Sequence, residues 1–95
     1  MNQSKKRLRF ALVGCGRIAQ RHAEHIRRTG DLAAACDVKM EKAQALTDTC
    51  DAVPFTDLKK MLDSAEIDVV SVCSPNGLHA EHTIRALQAN CHVLC

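Results

Sequence analysis

The feature that most narrows what this chain can fold into is a glycine-rich turn, Gly14-Cys15-Gly16-Arg17-Ile18-Ala19, set between two segments of different periodicity. Before it, Arg7 to Val13 is a β-favouring apolar run. After it, Ile18, His22, Ala23 and Ile26 recur at helical spacing until Gly30 supplies a stop. A strand that enters a helix through so short a turn starts a crossover connection, and the strand that follows is expected to lie parallel to the first.

The remaining sequence repeats that alternation. Leu32 to Cys36 is a short apolar run closing on Asp37, after which Met40, Ala43, Leu46 and Cys50 mark one face of a second helix. Ala52 to Phe55 reads as a brief third strand, and Thr56 is placed to cap a helix that buries Leu58, Met61 and Leu62, with Asp57 in its first turn. Ile67 to Cys73 is the strongest strand, and its near-continuous apolar character calls for burial on both faces. Ala80, Thr83, Ile84 and Leu87 outline a fourth helical face, and Cys91 to Cys95 begins a fifth strand. The expected class is therefore α/β: an incomplete, doubly wound parallel sheet of the Rossmann type, with about five strands in the order 3-2-1-4-5 and four helices.

A chain of 95 residues makes one domain, and at that size only roughly 60 to 65% of the unfolded surface becomes buried. With Phe10 and Phe55 as the only aromatics, small aliphatic side chains must fill the interior. Residues 1–6 read as a basic terminus and residues 7–95 as the domain. The cluster Lys5, Lys6, Arg7 and Arg9 has no aromatic platform or amphipathic basic helix beside it, which argues against a nucleic-acid or membrane partner. No stretch approaches the roughly 20 apolar residues of a membrane span, and an apolar signal core is missing, so a cytoplasmic location is expected. The six cysteines fall mostly inside apolar runs, as reduced, buried small residues do. Cys91, His92 and Cys95 come nearest to a metal-ligand group and lack the spacing of one, so no metal is expected. The tetrapeptide His-Ala-Glu-His occurs at 22–25 and again at 79–82, which reads as coincidence rather than a ligand pair.

Three elements carry chemistry. The first is the glycine turn: Gly14 permits the bend, Gly16 lets backbone approach a pyrophosphate, Ala19 lets the helix lie close to the strand, and the free N–H groups of Cys15, Arg17 and Ile18 at a helix N-terminus suit phosphate oxygens. Cys15 is small enough to be tolerated there, although a helix N-terminus can also lower a thiol pKa and make it reactive. The second is Asp37, which stands 21 residues beyond Gly16 at the end of the second strand. An acid there accepts ribose hydroxyls and repels a 2′-phosphate, so NAD is expected over NADP, with Lys39 close enough to blur the preference. The plainer alternative for Asp37 is a cap on the second helix. The third is the loop Ser74-Pro75-Asn76-Gly77-Leu78-His79, which leaves the fourth strand beside the first, at the switch point where ligands bind. Asn76 and His79 are expected to reach toward the nicotinamide end, with turn formation and packing as their respective alternatives.

Together these elements resemble the N-terminal domain of the glucose-fructose oxidoreductase and inositol 2-dehydrogenase (Gfo/Idh/MocA) family. The resemblance runs from about Arg7 to Cys95 and is most specific in Ser74-Pro75-Asn76-x-x-His79, Ala86-Leu87 and His92-Val93-Leu94-Cys95. It implies pyrophosphate contacts from Gly14 to Ile18, a ribose contact from Asp37, and cofactor contacts from Ser74, Pro75, Asn76 and His79. His22 also matches a position where the family often has histidine, and is read as packing. In the family the segment runs on into Glu-Lys-Pro, whose lysine acts with groups of a second, substrate-binding domain. That motif is not in this sequence, so no catalytic residue is assigned, and the chain is expected to be the cofactor-binding part of an enzyme passing hydride from a secondary alcohol of a sugar, polyol or nucleotide-sugar to NAD.

Two other readings remain open at this stage: a non-catalytic dinucleotide-binding fragment or scaffold, and a different nucleotide-type ligand such as FAD or a methyl donor. An apolar sheet edge at the fifth strand also predicts self-association into a homo-oligomer.

Overall fold

The computed structural model describes residues 8–48, 50–74 and 76–94. Among these residues nine elements follow one another: β1 (Leu8–Val13), α1 (Arg17–Thr29), β2 (Gly30–Cys36), α2 (Met40–Thr47), β3 (Val53–Phe55), α3 (Leu58–Ser64), β4 (Val69–Val72), α4 (Asn76–Gln88) and β5 (His92–Leu94). All strand pairs are parallel, and the sheet order is β3-β2-β1-β4-β5. The expected class and strand order hold.

Side chains alternate across the central strands, so the sheet builds two separate apolar layers. Phe10, Leu12, Leu32, Ala35 and Val69 face one side, where Ala19, Ala23 and Ile26 of α1 and Ala43 and Leu46 of α2 cover them. Ala11, Val13, Ala34, Cys36, Val70 and Val72 face the other, under Leu58 and Met61 of α3 and Ala86 of α4. Strand β2 keeps this phase only by inserting a residue: Phe10 pairs with Leu32 but Ala11 with Ala34, which leaves Ala33 as the extra one. Alanines at the helix–sheet contacts, fully buried at Ala19, Ala43 and Ala86, let the helices approach closely in a chain with so few large side chains.

At the amino ends of the strands, Asp68 ties three of them together. Its Oδ2 accepts from the Arg9 amide at 2.8 Å, and its carbonyl accepts from the His92 amide at 2.9 Å. Arg9 Nε adds a bond to the Glu66 carbonyl. Gly30 ends α1 in an extended conformation and starts β2 with no intervening loop. A side chain there would meet the Leu8 carbonyl at 2.5 Å and the Phe10 ring at 2.6 Å, so close strand approach, not a left-handed stop, demands glycine.

Several local expectations need correction. The cap of α3 is Asp57, not Thr56: its carboxylate accepts from the Lys59 amide at 2.9 Å and the Lys60 amide at 3.4 Å. The helix begins one residue later than expected, which puts Asp57 at the capping position. On α4 the residue that meets the core is Ala86, with His82 and Thr83 half-buried, whereas Ala80, Ile84 and Leu87 face outward. Ala86 packs with Val70, Val72 and Val93 of β4 and β5, and the close approach there admits a methyl group better than a long branched chain. Met40 of α2 and Ile18 of α1 likewise lie on the exposed side, with Ala43 and Ala19 taking the buried positions.

Candidate functional site

The sheet order puts β1 between β2 and β4, so the loops leaving these three strands meet at one end of the sheet. Backbone bonds lock them together. The Gly14 amide donates to the Cys36 carbonyl at 2.8 Å, the Cys73 amide to the Val13 carbonyl at 2.7 Å, and the Asp37 amide to the Phe55 carbonyl at 3.0 Å. Gly14 adopts φ +89°, a left-handed conformation that side chains disfavour, and a Cβ on it would lie 2.6 Å from the Ser74 amide nitrogen. The glycine turn is thus nested directly against Cys73 and Ser74, the residues that follow β4.

Gly16 is different. Its backbone is extended, it caps α1 without any side-chain hydrogen bond, and a Cβ built on it meets nothing within 4 Å. Gly16 also lines a cleft of about 810 Å³, together with Gly14 and Cys15 of the turn, Ile18, His22, Asp37, Lys39, Lys42, Leu78 and His82. The first turn of α1 contains no acidic residue, so the positive end of the helix faces the cleft without internal compensation. A hollow of similar size between α3 and α4 is bordered by Ile84 and the exposed Glu81–Arg85 pair. It lies away from the strand ends and the glycine turn.

Asp37 is tied into the turn. Its Oδ2 accepts from the Cys15 amide at 2.8 Å and its Oδ1 from the Lys39 amide at 2.9 Å. An ionised carboxylate has about four acceptor positions, so each oxygen keeps capacity for a hydroxyl in the cleft. The Cys15 N–H is already used, which leaves phosphate binding to the amides farther along the turn. Asp37 does not cap α2, whose N-cap is Lys39.

The Cys15 thiol is buried, and its Sγ donates to the Cys36 carbonyl at 3.4 Å. Burial, reinforced by the Asp37 carboxylate, pushes its pKa up to about 12, and burial with the same carboxylate raises Cys36 to about 11. Burial and the neighbouring carboxylate act against the helix end here, opposite to the exposed, lowered-pKa setting of a reactive thiol. All five described cysteines are free thiols.

Gly14, Cys15, Gly16, Asp37 and Ser74 come together around the cleft, and Ile18 stands 65% exposed at its margin. Pro75 lies outside the described residues, as do the side chains of Arg17, Asn76 and His79. Sequence reasoning missed His82, whose Nδ1 lies 2.8 Å from Ser74 Oγ, and Lys42 and Leu78 on the cleft wall. His22 does more than pack, since its Nδ1 lies 3.1 Å from Ser71 Oγ while the ring borders the cleft. The two contacts come from different positions of the repeated tetrapeptide, the leading histidine of 22–25 and the trailing one of 79–82, so the repeat itself encodes no common geometry.

The sequence model of an oxidoreductase family, described as having an NAD-binding Rossmann fold, matches residues 8–95. D-glucoside 3-dehydrogenase of Escherichia coli (strain K12) is 45% identical over 92 residues, which is 93% of this chain and 26% of that protein. Among solved structures, the WlbA dehydrogenase from Bordetella pertussis, in complex with NADH and UDP-GlcNAcA, superposes with a TM-score of 0.87 at 36% identity, covering 93% of this chain and 28% of that one. The scyllo-inositol dehydrogenase from Lactobacillus casei, with bound NAD(H) and scyllo-inositol, superposes with a TM-score of 0.85 at 30% identity, over 93% and 27% of the two chains. This chain thus spans about a quarter of the length of the relatives it matches.

Proposed function

Because this chain belongs to the Gfo/Idh/MocA oxidoreductase family and forms its NAD-binding Rossmann fold, we propose that the cleft at the strand ends seats NAD for hydride transfer from a sugar-like secondary alcohol. The pyrophosphate rests on the glycine turn, where Gly16 leaves the backbone open and the α1 N-terminus faces it. Asp37, over the β2 end, takes the adenosine ribose, and its negative charge favours NAD over NADP. The loop after β4, from Ser74 through Pro75 and Asn76 to His79, flanks the nicotinamide half. The cofactor supplies the hydride acceptor when bound, while this chain binds and orients it.

The observation that carries the reading is the pairing of an open Gly16 with a carboxylate at the end of the adjacent strand, both lining one cleft. Residues 7–95 form the dinucleotide-binding domain of this reading, and the family's Glu-Lys-Pro motif is not among them. The relatives' substrates, a nucleotide-sugar acid and an inositol, support a sugar, polyol or nucleotide-sugar as the substrate class. Cytoplasmic residence is part of the reading and agrees with the free thiols. Self-association into a homo-oligomer is part of the reading as well.

Calorimetric titration with NAD, NADP, FAD and S-adenosylmethionine tests the proposal. NAD is expected to bind more tightly than NADP, with no heat from the other two. Binding of only FAD or S-adenosylmethionine would overturn it.

A further inference from the structure

We infer that His82 is a positioning residue for the nicotinamide half of the cleft, acting through the hydroxyl of Ser74. Ser74 is the second residue beyond β4, 6% exposed, and its backbone is part of the surface against which Gly14 is nested. Its Oγ and the Nδ1 of His82, one and a half turns into α4, share a hydrogen bond of 2.8 Å. One contact chain therefore runs from α4 through His82 and Ser74 to the glycine turn. It holds the β4–α4 loop at a fixed height over the sheet.

The location decides which half of a dinucleotide this chain serves. In a doubly wound sheet the ligand lies across the switch point, with one mononucleotide over each half of the sheet. Asp37 marks the β2 side of β1 as the adenosine side, so β4 and the loop after it face the other mononucleotide. His82 and Ser74 both line the cleft on that side. A buried hydroxyl that loses its partner must find another, and the loop backbone moves to provide it. Loss of the His82 ring is thus expected to misplace the surface under the nicotinamide riboside and leave the adenosine side as it was. The corresponding His22–Ser71 bond joins α1 to a residue inside β4 and does not reach Ser74.

The inference rests on the proposed seating of NAD, and the test separates the two. Affinities for NAD and for ADP, which lacks the nicotinamide riboside, are measured by calorimetry on the wild-type chain, His82→Ala, His82→Asn, Ser74→Ala and the double variant His82→Ala/Ser74→Ala. Thermal melts of each accompany the titrations. His82→Ala is expected to weaken NAD about tenfold and ADP less than about twofold. His82→Asn, whose side-chain amide reaches the position of Nδ1, is expected to restore most of the loss. Ser74→Ala is expected to match His82→Ala, with the double variant no worse than either. Equal weakening of NAD and ADP would make His82 merely structural and overturn the inference. So would unchanged NAD affinity in His82→Ala, while failure of the wild-type chain to bind NAD would bring down the proposed function itself.

Discussion

Gly14 and Gly16 stand two residues apart in one turn, yet the structure assigns them opposite liabilities, which makes the pair a sharp test of the site. In Gly14→Ala the new Cβ must occupy a left-handed backbone, at a cost of about 1 to 2 kcal/mol, and lies 2.6 to 2.8 Å from backbone atoms of Cys73 and Ser74. Backbone cannot swing aside as a flexible side chain does, so overpacking adds about 1 to 3 kcal/mol. The reduced freedom of the unfolded chain returns about 0.4 to 1 kcal/mol. The net loss is about 1 to 5 kcal/mol, a large share of the roughly 5 to 14 kcal/mol available to a domain of this length. A melting temperature lower by at least about 4 °C is the corresponding observable.

Gly16→Ala meets no atom within 4 Å and keeps an extended φ of −87°. The gain in unfolded-state entropy and the loss of a favoured N-cap residue roughly cancel, each under about 1 kcal/mol. Its methyl group instead stands in the cleft where the pyrophosphate must come close, so NAD affinity is expected to fall at least about tenfold, or 1.4 kcal/mol. Thermal melts followed by differential scanning fluorimetry and NAD titrations read both effects. If Gly14→Ala melts with the wild type, or if Gly16→Ala binds NAD normally, the placement of the turn is wrong.

Asp37→Ala removes both the ribose acceptor and the anchor of the Cys15 amide, and is expected to weaken NAD binding by about ten- to a hundredfold in calorimetry. Asp37→Asn, which still accepts from the Cys15 amide but lacks the charge, is expected to fall between wild type and alanine while improving the ratio of NADP to NAD affinity. The raised thiols predict alkaline sensitivity: with Cys15 pushed up to about 12 from 9.0 and Cys36 to about 11, the unfolded chain releases these protons first, so their stabilisation is whole below about pH 9 and drains away toward pH 12. Urea midpoints measured from pH 8 to 11 are expected to fall by the equivalent of about 2 to 3 kcal/mol from Cys15, and less steeply in Cys15→Ala. Asp57→Ala removes the α3 cap and is expected to cost about 1 kcal/mol, read as a drop of about 4 to 8 °C in melting temperature with NAD affinity unchanged.

Strand order and helix number were legible because they depend on patterns with long repeats: apolar runs of strand length separated by helical spacing, and a glycine turn that forces the first crossover. What the patterns do not encode is the rotation of each helix about its axis. On α4 the sequence offers Ile84 and Leu87 as the obvious buried pair, yet the structure buries Ala86 and turns both outward, to 54% and 56% exposure. Hydrophobicity ranks the side chains, but the space between helix and sheet decides which fits, and here the gap suits a methyl group. The insertion at Ala33 was equally hidden, since Gly30 to Cys36 reads the same with or without a bulge when nearly every residue is small and apolar.

The same limit explains which part of the site was readable. Gly14, Gly16 and Asp37 are placed by backbone requirements, a positive φ, an open approach and a strand end, and each leaves a mark at a fixed spacing. His82 is placed by the phase of α4 relative to Ser74, eight residues away across a loop and the start of a helix, and that phase is the quantity the apolar pattern misassigned. Had Ile84 and Leu87 faced the core, His82 would have been rotated off the cleft wall and Ser74 would have lost its partner. The outward Ile84 and Leu87 and the inward His82 are therefore one fact about α4: burying Ala86 puts position 82, one turn earlier, over the end of β4. A bulkier residue in place of Ala86 should then disturb cofactor binding from a distance. Ala86→Leu is expected to push α4 off the sheet, lengthen the Ser74–His82 contact and weaken NAD more than ADP, as His82→Ala does. Equal loss of both ligands, or a loss of stability with NAD affinity intact, would show that the rotation of α4 and the geometry of the loop are not coupled.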